Sequence, residues 1–306
     1  MAVENRSLFD PTLVLYPEKR IMRSVFTIGI VVLLSAVACS EEDQTFSDKR
    51  SDKAEETAAV YRKNIQAEIT TLKEHEWAGE YYEGDGLGVN VSLILAPKSG
   101  FLFEWHGCMG LYDRNYGAVT SDKGKIRLTF TFPNKRKGFQ GIAQEFTPIV
   151  WGERKYLVPS NDIIGFCNKV NDGSEPRIGG HGSYLLRRGD EKKEAKASPA
   201  IPAELEPYLL AHPIDAEIAA IGKVTTRPSV CEWKFKDTPV VLNRGKAHGL
   251  LKGMKLYITK PGNLVESVEI TKVEDERSEG IMTQIGEDKA GPQVGWKVST
   301  RCPWHR

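Results

Sequence analysis

The chain has 306 residues, 42 Lys/Arg against 41 Asp/Glu, and a formal charge of +1. Without residues 1–39, which hold four Lys/Arg and three Asp/Glu, the remainder carries 38 of each and is neutral. A neutral chain has no electrostatic reason to seek nucleic acid, and the remaining length suits two domains of ordinary size.

Lys19, Arg20 and Arg23 precede a run of 14 residues, Val25–Ala38, that contains no charged side chain. As a helix the run spans roughly 21 Å, short of the ~30 Å of a bilayer core. Basic residues, a short apolar run and then small residues form the layout of a secretory signal peptide, with Met22 as a well-proportioned start. The phrase Ala36-Val37-Ala38-Cys39 resembles the lipobox of bacterial lipoproteins, although that family usually has leucine where Ala36 stands. The resemblance implies cleavage before Cys39, a lipid on its thiol, and a membrane anchor in the bacterial cell envelope. In that family Ser40 is compatible with the outer membrane, facing the periplasm or the surface.

Residues 40–75 are expected to form a tether and a stalk. Ser40–Lys53 is rich in charge and reads as flexible. Ala58, Tyr61, Ile65, Ile69 and Leu72 then recur at helical spacing, with a stripe suited to pack on the domain that follows.

Residues 76–190 read as a β-rich domain. Ile126, Leu128, Phe130 and Phe132 alternate with polar residues, and Val91, Leu93 and Leu95 form a similar run. Gly84-Asp85-Gly86-Leu87-Gly88 reads as a hairpin turn. A short helix is expected from Ser160, as its cap, to Val170. Trp77-Ala78-Gly79-Glu80-Tyr81-Tyr82 followed by meandering strands resembles the start of small lipocalin-like barrels. That resemblance implies a barrel whose cavity, lined by Val91, Leu93, Leu128 and Phe130, would carry a small apolar ligand. A flattened sandwich satisfies the same pattern.

Residues 191–224 read as a charged linker with a helix near Ile214–Ile221, after Pro213. Residues 225–306 read as a small β-barrel whose glycines at 245, 249 and 253 are expected to supply positive φ angles. The spacing of Asn243, Gly245, Gly249 and Gly253 between strands resembles β-barrel modules of bacterial envelope-assembly proteins, such as the rod-shape-determining and flagellar assembly families. It implies an interaction module with envelope protein partners rather than a chemistry. The fold class is therefore mainly β with minor α: two small antiparallel barrels or sandwiches preceded by a short helix.

Four cysteines follow Cys39. Export permits disulfides, and if each domain keeps its own pair the bridges are Cys108–Cys167 and Cys231–Cys302; buried thiols are the alternative. The densest reactive text is Glu104-Trp105-His106-Gly107-Cys108, with Asp113 and Arg114 nearby. A zinc site needs three or four ligands and only two good ones are local, so no metal or cofactor is expected. Lys135-Arg136-Lys137 reads as a solvated loop. Glu153, Arg154, Asn171, Glu175 and Arg177 form a candidate polar binding site at one mouth of the first domain, or else clamp loops. No catalytic signature emerges. The expected function is a non-enzymatic, lipid-anchored binding or assembly module, with a ligand carrier second and an enzyme at His106/Cys108 third.

Overall fold

The computed structural model describes residues 48–84, 90–107, 110–132, 142–174, 176, 184–228, 234–260, 266–286 and 290–303. The leader, Cys39, the 84–88 turn beyond Gly84, Cys108, the Lys135 basic run, Glu175, Arg177 and Cys231 lie outside them.

Helix α1 spans Asp52–Leu72. Ser51 caps it by accepting from the Ala54 amide at 3.3 Å, and Asp52 and Glu55 oppose the positive end of the helix dipole. The polar tether thus ends sooner than its composition suggests: Lys49 is already buried, held by Asp113. The stripe Ala58, Tyr61, Ile65 and Ile69 lies on Ile94, Ala96, Leu102 and Tyr116.

Those four residues belong to the outer wall of a closed antiparallel barrel of eight strands, each paired with the next. The strands are β1 (Gly79–Gly84), β2 (Asn90–Ala96), β3 (Gly100–Gly107), β4 (Gly110–Asp122), β5 (Lys125–Phe130), β6 (Glu145–Trp151), β7 (Arg154–Pro159) and β8 (Leu185–Arg187). Pairing of Tyr81 with Arg187 closes the ring. Strand alternation sends Leu93, Leu95, Phe101 and Phe103 inward and Ile94 and Leu102 outward under α1, so β2 reads as a continuous apolar run. Gly100 has φ +83°, and a Cβ there would stand 2.0 Å from the Gly117 carbonyl oxygen, so the turn into β3 admits only glycine.

The interior holds Trp77, Tyr81, Phe101, Phe103 and Phe146 with aliphatic residues of β2, β4, β5, β7 and β8 in one buried cluster. Val91, Leu93 and Leu128, expected to line a cavity, are buried within it, and Phe130 packs half-buried against it.

Helix α2 spans Ile163–Asp172 and covers a second stretch of outer wall. Its start is Asp162 rather than Ser160, whose hydroxyl bonds Thr147 at 3.0 Å. Ile163, Phe166 and Cys167 pack on Ile149, Tyr156, Val158, Tyr184 and Leu186. No disulfide occurs among the described residues: Cys167 and Cys302 are both buried thiols. Cys108 and Cys231, the other halves of the expected bridges, lie outside the described residues. Cys167 is enclosed on the inner face of α2, where burial pushes its thiol up to about 12.

The charged linker is not loose. Ala200 bridges Val150, Trp151 Nε1 donates to the Ala197 carbonyl at 2.8 Å, and Arg154 Nε donates to the Lys193 carbonyl at 2.6 Å. Buried Asp190 accepts from the Lys155 amide at 2.9 Å.

The expected helix at 214–221 is instead strand β9 (Asp215–Ile221). Its buried residues, Ala216 and Ile218, are two apart, and β9 pairs with β15 (Lys297–Ser299) and β11 (Lys234–Leu242). Tertiary pairing overrides the helix propensity of alanine and glutamate here. With β12 (Lys255–Lys260), β13 (Ser267–Val273) and β14 (Ser278–Ile285), these strands close a second antiparallel barrel in the circuit β11–β14–β13–β12–β15–β9. The short strand β10 (Thr225–Pro228) is appended to β11. Ile218, Val240, Leu242, Met254, Leu256, Ile258 and Met282 fill the interior. Gly249 and Gly253 have φ of +87° and +88°, as expected, but Gly245 is extended. It is required for closeness, since a Cβ would lie 2.2 Å from the Glu274 carbonyl oxygen.

Candidate functional site

Three polar centres stand out, and each is built by elements that bring charged text out of solvent. The first lies between α1, β3 and β4. Glu104 and Arg114 face each other across the β3–β4 ladder. Glu104 Oε1 accepts from Arg114 Nε at 2.9 Å and Nη2 at 2.8 Å, and its Oε2 pairs with Arg62 of α1. Arg114 also pairs with Glu55, and Asp113 accepts from Lys49 Nζ at 2.8 Å. Glu104, Asp113 and Arg114 are all buried. Two guanidinium groups, those of Arg114 and Arg62, occupy the Glu104 carboxylate. His106 Nε2 is 3.8 Å from Glu104 Oε2, beyond hydrogen-bond range, and its side chain is half exposed. The strand bulges between Trp105 and His106, so the alternation expected to align Glu104 with His106 is interrupted. A shallow groove of about 540 Å³ runs beside this cluster, lined by Ala59, Arg62, Lys63, Gln66 and Glu104.

The second centre joins the barrels. On the face of α2 turned from the first barrel, Asn168 Nδ2 donates to the Gly253 carbonyl at 2.9 Å and Oδ1 accepts from the Lys255 amide at 3.1 Å. Asn171 does the same for the connection, donating to Tyr208 O at 2.8 Å and accepting from Leu210 N at 3.0 Å. Asp172, fully buried, accepts from Tyr257 OH at 2.7 Å and pairs with Ser174, and its backbone carbonyl accepts from the Cys302 amide. Burial and the adjacent carboxylate raise the Tyr257 phenol pKa. Each amide uses both its donor and its acceptor, which fixes orientation as well as contact.

The third centre is Glu83, near the end of β1. It shares the inward face with Tyr81 and stands opposite Val91 in the ladder. Burial raises its carboxyl to about 8. Nothing in the sequence around Glu83 marks it; only closure of the barrel puts it inside.

The described candidate polar residues do not converge on one site. Arg154 ties the linker to the β6–β7 hairpin, where the Glu153 amide also donates to the Glu194 carbonyl, while Asn171 serves the inter-barrel junction. Among the described residues no group of three or more His, Cys, Asp or Glu side chains is arranged to hold a metal ion. No helix among them is long and apolar enough to cross a membrane. In the second barrel, Thr238 Oγ1 and Gln284 Oε1 are buried without a hydrogen-bond partner among the described residues.

The outer wall of the second barrel carries an apolar stretch among the described residues. Pro239 faces Ile281 across β11–β14, and Val241 faces Ala220 across β11–β9. Ile281, Ile221 and Val224 are each more than a third exposed.

Compared with known proteins, the chain matches no family model, no curated protein and no solved structure.

Proposed function

We propose that this chain is a lipid-anchored envelope protein that acts as a binding or assembly module and performs no catalysis. Cys39 would carry the lipid, and the second barrel would present the partner-binding face through Pro239, Val241 and Ile281. The filled interior of the first barrel carries this reading. Leu93, Phe101, Phe103, Phe146 and Leu157 are fully buried in one cluster, where a carrier needs a hollow of several hundred Å³. The tie of Glu104 to Arg62 and Arg114 supports it further, because the carboxylate nearest His106 is committed to holding α1.

Titration of the purified protein with a fluorescent fatty acid tests the reading against a carrier. No saturable binding is expected. Saturable binding that Leu93→Trp abolishes, in a variant that keeps the native circular dichroism spectrum, would restore the carrier reading.

A further inference from the structure

Arg114, on β4 beneath the first turns of α1, is 3% exposed and incompletely paired. A guanidinium is a planar fork of N–H bonds. Its side edge, Nε and Nη2, is taken by Glu104 Oε1 at 2.9 and 2.8 Å. The remaining Nη2 hydrogen and one Nη1 hydrogen therefore point together from the end of the group. Glu55 Oε2 meets this end at Nη2, 2.5 Å away, and Nη1 has no hydrogen-bond partner among the described residues. Roughly nine in ten buried polar groups are paired, and a bare donor on a buried charged group is costly. The end of Arg114 thus offers two parallel donors, of which Glu55 uses one.

The carboxylate at that end is also the easiest of the cluster to move. The Glu55 side chain is 66% exposed, against 7% for Glu104. Glu104 is held by two guanidinium groups, whereas Glu55 makes an exposed pair of the kind that contributes little. Beyond Glu55 the groove runs along α1 past Ala59, Arg62, Lys63, Gln66 and Ala67. From Glu55 to Ala67 the helix rises about 18 Å, the length of about five extended residues. Arg62 and Lys63 make this wall positive, and the alanines let a backbone approach. Glu104, the other acid among the described lining residues, is neutralised by its two arginines.

We propose that the end of Arg114 is a carboxylate-binding site. An Asp or Glu side chain of an acidic peptide on a partner displaces Glu55 and takes Nη1 and Nη2 together, and the peptide continues along the α1 groove. Glu55 identifies the chemistry, since the site already holds a carboxylate. The incoming group gains a charge-assisted bond that Glu55 does not make. The site lies on the first barrel, so it is a contact surface separate from the wall at Pro239, Val241 and Ile281, and it needs no lipid at Cys39.

The test is fluorescence anisotropy of a rhodamine-labelled hexaglutamate peptide with the full chain at fixed ionic strength. Wild type should bind it saturably and hexaglutamine not at all. Glu55→Ala should bind at least about fivefold tighter, because an occupant that must first be displaced lowers the apparent affinity. Glu55→Ala combined with Arg114→Lys, which keeps the charge and loses the fork, should bind more weakly than wild type. No saturable binding, or an affinity that Glu55→Ala leaves unchanged or weakens, overturns the site. So does binding lost in Ile281→Lys, which would place the peptide on the second barrel, or displacement by phosphate in preference to acetate, which would make the ligand a phosphate. Should Arg114→Lys unfold the barrel, nitrogen-resolved NMR of Glu55→Ala reads Arg114 directly. Its Nη1 protons shift on saturation with the peptide, and unmoved signals overturn the proposal.

Discussion

The two barrels bury their walls differently. In the first, α1 and α2 cover opposite stretches of the outer face, and β3 is buried over its first five residues without alternation. In the second, β14 alternates buried and exposed residues from Ser278 to Gln284, and the outward row includes Ile281. The first barrel has spent its periphery on its own helices, while the second leaves a wall of Pro239, Val241 and Ile281 uncovered. Charged residues follow the same division. In the first barrel Glu104, Asp113 and Arg114 are buried as clamps, beside surface pairs such as Arg127 with Glu145; in the second, pairs such as Arg277 with Glu274 and Lys272 with Glu279 stay at the surface and contribute little.

This contrast is sharpest at Glu104. Its replacement by alanine leaves Arg114 buried with its charge half compensated and should cost about 3–5 kcal/mol, read as a lower urea midpoint. An equivalent cut in the second barrel, Glu274→Ala, should leave the urea midpoint nearly unchanged. Equal losses would break the division between clamp and surface pair.

The junction comes next. Asn168→Ala removes two hydrogen bonds to the second barrel and leaves the Gly253 carbonyl and the Lys255 amide without them, a cost of about 1–3 kcal/mol. Calorimetry should then separate one unfolding transition into two. A single unchanged transition would mean that the barrels are joined mainly by other contacts.

Glu83 gives the first barrel a pH signature that the second lacks. Its carboxyl rises from 4.5 to about 8 on folding, so the folded state binds the extra proton across that window. Stability should fall as pH rises from about 4.5 to about 8, since the partly buried carboxyl must then ionise. Glu83→Gln should flatten that slope in the melting temperature. A slope that survives the substitution would assign it to another group.

Inside the second barrel, Thr238→Val replaces an unpartnered hydroxyl by a methyl of similar shape and should stabilise by about 1 kcal/mol. The smallest effect is expected at the uncovered wall. Ile281→Lys should change stability by less than about 0.5 kcal/mol, since the side chain is already exposed. Its effect should be seen only in association with partners.

Much of the architecture was readable from periodicity. The stripe of α1, the strand at Ile126–Phe130 and the glycine-spaced turn at Gly249 and Gly253 each carry a local signal strong enough to survive folding. The strand at Asp215–Ile221 was not readable, because its alanines and glutamate favour a helix and only pairing with β15 and β11 decides otherwise. The burial of Cys167 was not legible either, because only the packing of α2 on the barrel decides which way it faces. Glu104 and Arg114 were visible as a reactive-looking cluster, yet their neutralisation depends on Arg62 and Glu55, brought in by α1. The pairing of Asn168 with Gly253 joins residues 85 apart, and no local pattern marks it.

The account turns on Cys39, and intact mass with cell fractionation, wild type beside Cys39→Ala, tests it most directly. The predicted result is a wild-type chain cleaved before Cys39, heavier by a lipid and held in the membrane fraction, with the mutant losing both the added mass and the retention. A protein that stays uncleaved and membrane-bound in both forms would contradict the account and make residues 25–38 the anchor themselves.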